Sequence, residues 1–116
     1  MQSPEEIRYR REERTLELRF AIGLPIKLTA EYLRVESPSA EVQGHSPDQK
    51  LIVGGKRNVA ITKMEPVGNY AIRITFNDGH DTGIFSWDYL RELAASHTRK
   101  WGEYEKNLVA KGLTRG

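Results

Sequence analysis

Three histidines and sixteen aspartates and glutamates are the side chains of this 116-residue protein best suited to hold a metal or move a proton, because it has no cysteine. That absence removes disulfides, thiolate catalysis, iron–sulfur ligation and cysteine zinc sites. His80 stands between Asp78 and Asp81 in the turn Asn77-Asp78-Gly79-His80-Asp81. A carboxylate beside an imidazole orients it and raises its basicity, as a metal ligand or a general base requires. The same residues also make an ordinary solvated turn, in which Asp-Gly supplies a positive φ. His45 lies in Gly44-His45-Ser46-Pro47. If that segment folds back onto the turn, His80, His45 and Asp81 form a small site for a divalent ion such as iron or zinc. His97 falls on an apolar helical stripe and reads as structural.

The remaining chemistry is sparse. Gly54-Gly55-Lys56-Arg57-Asn58 lacks the G-x-x-x-x-G-K-[ST] order of a phosphate loop, which excludes nucleotide binding on that basis. A basic turn that captures an anion or an acidic partner stays open. Ser37, Ser39, Ser46 and Ser86 have no nucleophile-elbow context, and Ser86 is explained as a helix N-cap. Trp87, Tyr89, Trp101 and Tyr104 sit at helical spacing and read as core. The net charge is +2, with most of the excess after Leu90, and this is too thin a basic stripe for nucleic acid. No apolar run approaches the roughly 20 residues of a membrane span. The charged start, Glu5 to Arg14, predicts no signal peptide, which together with the cysteine count points to the cytoplasm.

The elements that must position these groups are legible from periodicity. Ile7-Arg8-Tyr9 and Leu16, Leu18, Phe20 alternate as two strands of a hairpin. A short strand at Pro25–Leu28, at the sheet edge if Pro25 belongs to it, runs into Thr29, a helix N-cap for Ala30–Arg34. Residues 36–58 break every period and form a long loop, pinned by Leu51-Ile52-Val53. Val59 and Ile61 lead to a turn at Pro66–Asn69; Tyr70, Ile72, Ile74 and Phe76 share one strand face. Gly83-Ile84-Phe85 is a short strand before the Ser86 cap. Leu90, Leu93, Ala94, His97, Trp101, Tyr104 and Leu108 then make one helical stripe, broken near Ser96–Thr98 and stopped by Gly112.

Two blocks echo one another. Leu16–Gly23 (LELRFAIG) matches Ile72–Gly79 (IRITFNDG), and Ile26–Arg34 (IKLTAEYLR) matches Gly83–Arg91 (GIFSWDYLR), at offsets of 56 and 57 residues. The pattern predicts two copies of a strand–turn–strand–helix unit that share one core, since neither buries its apolar face alone. The fold expected is a small two-layer α+β domain. It has a twisted, mostly antiparallel sheet and C-terminal helix or helices, and it forms one domain over 1–116 with its core at about 7–108.

Four segments in order, Glu31–His45, Gly55–Ile61, Glu65–Ile72 and Asn77–Leu90, closely resemble a bacterial family of small domains of unknown function. That family is similar to the N-terminal domain of gamma-butyrobetaine hydroxylase. The resemblance implies a small α+β domain. It also implies kinship with domains that precede 2-oxoglutarate/iron oxygenases or are attached to NTPases handling iron–sulfur clusters. In the hydroxylases such a domain holds a structural zinc through three cysteines and a histidine. The histidine's position matches His80, and the cysteine segment matches the region around Ser37-Pro38-Ser39-Ala40-Glu41-Val42. Serine and valine stand where thiolates are needed, so that zinc site cannot form as such. The oxygenase domain with its iron ligands is absent, and its activity is not inherited.

Three functions follow in order. The first is a non-catalytic accessory or interaction module with another protein as partner, linked through the family to iron or iron–sulfur metabolism. The second is a metal-binding protein using His80, His45 and Asp81. The third is an enzyme working at that same site.

Overall fold

The computed structural model describes residues 3–116. Strands β1 (Glu6–Arg10), β2 (Thr15–Arg19) and β3 (Ile26–Thr29) form an antiparallel sheet in sequence order and lead into helix α1 (Ala30–Val35). Strands β4 (Ile61–Val67), β5 (Ala71–Phe76) and β6 (Gly83–Ser86) form a second such sheet and lead into α3 (Trp87–Ala95). Between the halves lie α2 (Ala40–Gln43) and a 3-10 turn at Pro47–Gln49, so the segment expected as a structureless loop has local order. Helix α4 (His97–Ala110) follows α3 after a break at Ser96. The expected α+β architecture is present, with its sheet divided in two because each copy's strands pair only with their own neighbours. Pro66 belongs to β4 and not to the turn, which is tolerable because β4 pairs on one side only.

The duplication is carried in the register itself. Leu16 opposite Leu28 and Leu18 opposite Ile26 in the first sheet correspond to Ile72 opposite Phe85 and Ile74 opposite Gly83 in the second. The repeating unit is three strands and a helix, one strand longer than the echo suggests. Helix α1 starts at Thr29, whose side chain accepts from the Tyr32 N–H, and α3 starts at Ser86, whose side chain accepts from the Tyr89 N–H. At the first residue of each helix, a backbone bond ties it back to its own hairpin: Ala30 N–H to the Arg14 carbonyl (2.8 Å) and Trp87 N–H to the Tyr70 carbonyl (3.1 Å).

The two units share one core, with Leu16, Leu18, Leu28 and Leu33 from the first packed against Ile72, Ile74, Phe76, Phe85, Leu90 and Leu93 from the second. They also exchange hydrogen bonds. Tyr32 Oη donates to the Leu93 carbonyl (2.7 Å), and Tyr89 Oη donates to the Glu36 carbonyl (2.6 Å). Donors and acceptors are both 57 positions apart, so this is one contact made twice across an internal pseudo-two-fold. Burial, followed by the Glu36 carboxylate, pushes both phenols well above their ordinary pKa of 10.0, and both stay donors at any ordinary pH.

The stripe predicted on the C-terminal helices splits between two jobs. Leu90 and Leu93 enter the shared core, whereas Tyr104 and Leu108 form a second cluster with Val35, Ile52 and Val53. Tyr104 Oη donates to the Val53 carbonyl (2.6 Å), so Ile52 and Val53 do pin the 36–58 segment. His97 sets its ring edge-on to Tyr32, 4.6 Å between centroids, a packing role from an exposed position. Helix α4 ends in a Schellman motif: Gly112 at φ +66° donates to the Val109 carbonyl and Leu113 donates to the Leu108 carbonyl.

Removing either tyrosine hydroxyl leaves a carbonyl short of its donor, at a cost of about 1 kcal/mol. Tyr32→Phe and Tyr89→Phe are therefore expected to lower the urea unfolding free energy by similar amounts. A marked loss from one and none from the other would contradict their equivalence.

Candidate functional site

His80 sits in the turn between β5 and β6, held there by its own backbone. Its carbonyl accepts from Phe76 N–H (2.9 Å), and its N–H donates to Asp78 Oδ1 (3.0 Å), an Asx-type arrangement. The ring points inward and the residue is 7% exposed. Nε2 lies 2.9 Å from Ser37 Oγ, and Nδ1 lies 3.3 Å from Glu41 Oε2. With Nδ1–H directed at the carboxylate, Nε2 is free to accept from the Ser37 hydroxyl. Ser37 Oγ in turn accepts from Ser39 N–H (3.3 Å), and Ser39 Oγ pairs with Thr82 Oγ1 (2.6 Å). Gln43 closes the network by donating to the Ser37 carbonyl (2.8 Å). The segment from Ser37 to Gln43 is thus fastened to the turn of the second unit.

A second cluster supports the first from outside. Asp78 Oδ2 is shared by Arg34 Nε (2.7 Å) and Lys56 Nζ (2.7 Å), which absorbs the lysine of the glycine-rich basic segment into an ion pair. Burial alone raises the Asp78 pKa; Lys56, the His80 N–H and Arg34 outweigh it and hold the carboxyl well below its usual range. Burial and the Arg34 charge lower the His80 pKa against the opposing pull of Glu41 and Asp78, so the neutral imidazole is the resting form. Arg34 Nη1 is buried without a hydrogen-bond partner, a residual desolvation cost in this cluster.

The three residues expected to share a metal are not gathered into one ligand group. Asp81 turns its carboxylate to Arg73 (2.9 Å). His45 is exposed and lines a groove of about 530 Å³ between the 36–53 segment and α4, with Lys50, Lys100, Glu103 and Tyr104. Among the described residues, no group of three or more histidines, cysteines, aspartates and glutamates is placed to hold a metal ion. The carboxylate that orients His80 is Glu41, not a neighbour in the turn. Nothing in local spacing reveals Ser37 or Glu41 as its partners, since about 40 residues separate them from His80; only the family resemblance points to that segment.

Ser37, His80 and Glu41 have the bonding order of a hydrolase relay, hydroxyl to imidazole to carboxylate. Access is missing. Ser37 is 0% exposed, and a Cβ added to Gly83 would lie 2.5 Å from its Oγ, which shows how closely that backbone covers it. A substrate carbonyl has no path to this hydroxyl. The relay is a packed hydrogen-bond network, and no helix among the described residues is long and apolar enough to cross a membrane.

These features define a small duplicated α+β domain whose most reactive side chains are spent on holding two segments together. A model of the gamma-butyrobetaine hydroxylase-like, N-terminal family matches residues 7–91, and the chain belongs to that family. Two solution NMR structures are similar to it. One is 44% identical over 99% of this chain and 90% of that one (TM-score 0.82), and the other is 41% identical over 99% and 86% (TM-score 0.84). A crystal structure of a DUF971-family protein of unknown function from Acidithiobacillus ferrooxidans is 44% identical over 80% of this chain and 93% of that one, with a TM-score of 0.68. No curated protein matches the sequence.

The zinc that the family resemblance implies does not fit these residues. Ser37 and Ser39 offer neutral hydroxyls where thiolates are required, Val42 offers no donor, and His80 Nε2 is already paired with Ser37.

The network makes two predictions. A neutral His80 with a lowered folded pKa contributes stability that is complete above its unfolded value near 6.5 and is lost as pH falls below it. Unfolding free energy should therefore fall between pH 7 and pH 5, and His80→Asn should flatten that slope; equal slopes in the two proteins would contradict it. Gly83→Ala should cost about 1–3 kcal/mol in denaturant unfolding, as overpacking against Ser37 and Phe85 does.

Proposed function

We propose that this chain is a non-catalytic accessory module that works by docking another protein, in a setting tied to iron or iron–sulfur metabolism by the family's domain fusions. The observation that carries the docking reading is the divergence of its two equivalent turns. The second turn carries Asp78 and is gripped by Arg34 and Lys56. The first carries Ile22 at the matching position, and Ile22 and Leu24 stand 82% and 87% exposed. Arg91, the counterpart of Arg34, lies over the Phe20 ring (4.1 Å to its centroid) and braces the base of this turn. Two large apolar side chains held out on a braced turn are costly in water and useful in an interface. The alternative, a resident iron or zinc ion on His80, His45 and Asp81, requires His80 and Asp81 to give up Ser37, Glu41 and Arg73.

Affinity capture from native lysate tests the reading, comparing the natural chain with Ile22→Asp/Leu24→Asp. The double variant should keep its melting temperature within a degree or two and lose the captured protein. An unchanged captured set would count against docking through this turn. Metal analysis of untagged protein separates the alternative: stoichiometric iron or zinc that is lost in His80→Ala favours it.

A further inference from the structure

Fastening the Ser37–Gln43 segment to the β5–β6 turn requires a linkage between residues far apart in sequence. Ser37 Oγ is at hydrogen-bond distance from His80 Nε2, Ser39 Oγ from Thr82 Oγ1, and Glu41 lies against the far nitrogen of the ring. A carboxylate on the rear nitrogen of a buried imidazole is the arrangement that fixes a metal-ligating histidine, with its front nitrogen aimed at the ion. Here the front nitrogen is aimed at a hydroxyl, and the serine pair and Val42 lie at the positions that the family's cysteine segment matches. The ring is oriented as for a ligand while the ligand set is absent.

We propose that the Ser37–His80–Glu41 network, stapled by Ser39 and Thr82, is a metal-independent clip that has taken the place of the family's zinc centre, with the backbone around it still shaped to converge on His80. The clip does with hydrogen bonds what a zinc ion does with four coordinate bonds: it closes the 37–43 segment onto the second unit. With Ser37, Ser39 and His80 buried and each paired, such a network holds its geometry without an ion, and its neutral hydroxyls have little to offer a dication. This inference is independent of docking through the Ile22 turn, which lies in the other copy of the unit.

The test has two arms. In the first, untagged natural protein is melted with and without EDTA, and its zinc and iron content is measured. The clip predicts less than about one-tenth of an ion per chain and a melting temperature unchanged by the chelator, because metal linked to folding would shift it. A stoichiometric ion, or a chelator-induced fall in melting temperature, overturns the proposal. In the second, Co²⁺ is titrated into Ser37→Cys/Ser39→Cys/Val42→Cys. One equivalent should bind with thiolate-to-cobalt charge-transfer absorption and the visible bands of a tetrahedral site. Adding His80→Ala should weaken that binding at least about tenfold, as losing a group that shapes a metal site does. A folded triple variant that leaves the Co²⁺ spectrum unchanged from that of free ion overturns the converging geometry. If the triple variant does not fold, Ser37→Cys/Ser39→Cys serves in its place, with thiolate-to-cobalt absorption expected and its absence counting against the proposal.

Discussion

A three-stranded sheet of four- to seven-residue strands, with one short helix behind it, cannot bury its own apolar face. That constraint governs this protein. Leu16, Leu18 and Leu28 on one sheet and Ile72, Ile74 and Phe85 on the other are dry because both units and their helices pack into one shared core. The reciprocal tyrosine bonds set the alignment: each helix places a phenol against a backbone carbonyl of the other unit, at equivalent positions. Apolar burial supplies most of the free energy, and the two directional bonds select one relative placement of the units.

Once two equivalent units share a core, their equivalent loops are free to diverge, because the strands and helices alone satisfy the burial requirement. The β2–β3 turn became apolar and exposed; the β5–β6 turn became polar and tied down. Glycine is kept in both, Gly23 at φ +100° and Gly79 at φ +92°, since each turn passes through a left-handed conformation that side chains resist. The duplicated scaffold thus carries one exposed apolar turn and one turn fastened internally.

The junction concentrates charge in a small space. Asp78 is flanked by two cations, and His80 is neutral beside a carboxylate; each group's protonation state is set by burial and by its nearest charge. A buried, paired network of this kind favours one arrangement more than it adds net stability. Here the arrangement is the path of residues 36–53, which then lines the groove against α4.

Much of this was legible without coordinates. Period-two alternation located four of the six strands to within a few residues and short apolar runs before a cap located the other two, Thr29 and Ser86 announced the starts of α1 and α3, and the echo between LELRFAIG and IRITFNDG announced the duplication, because these signals depend on neighbours a few residues apart. The family resemblance also came from ordered local blocks. Tertiary structure alone decided where the long segment runs and what His80 touches. The interactions there join residues about 40 apart, and no spacing rule reports them: Glu41 orients the ring, Ser37 occupies its front, Asp81 turns to Arg73, and His45 lines a different groove. The sequence by itself determined which residues could do chemistry; the folding of one segment onto another decided that His80 meets Ser37 and Glu41 and that Asp81 meets Arg73.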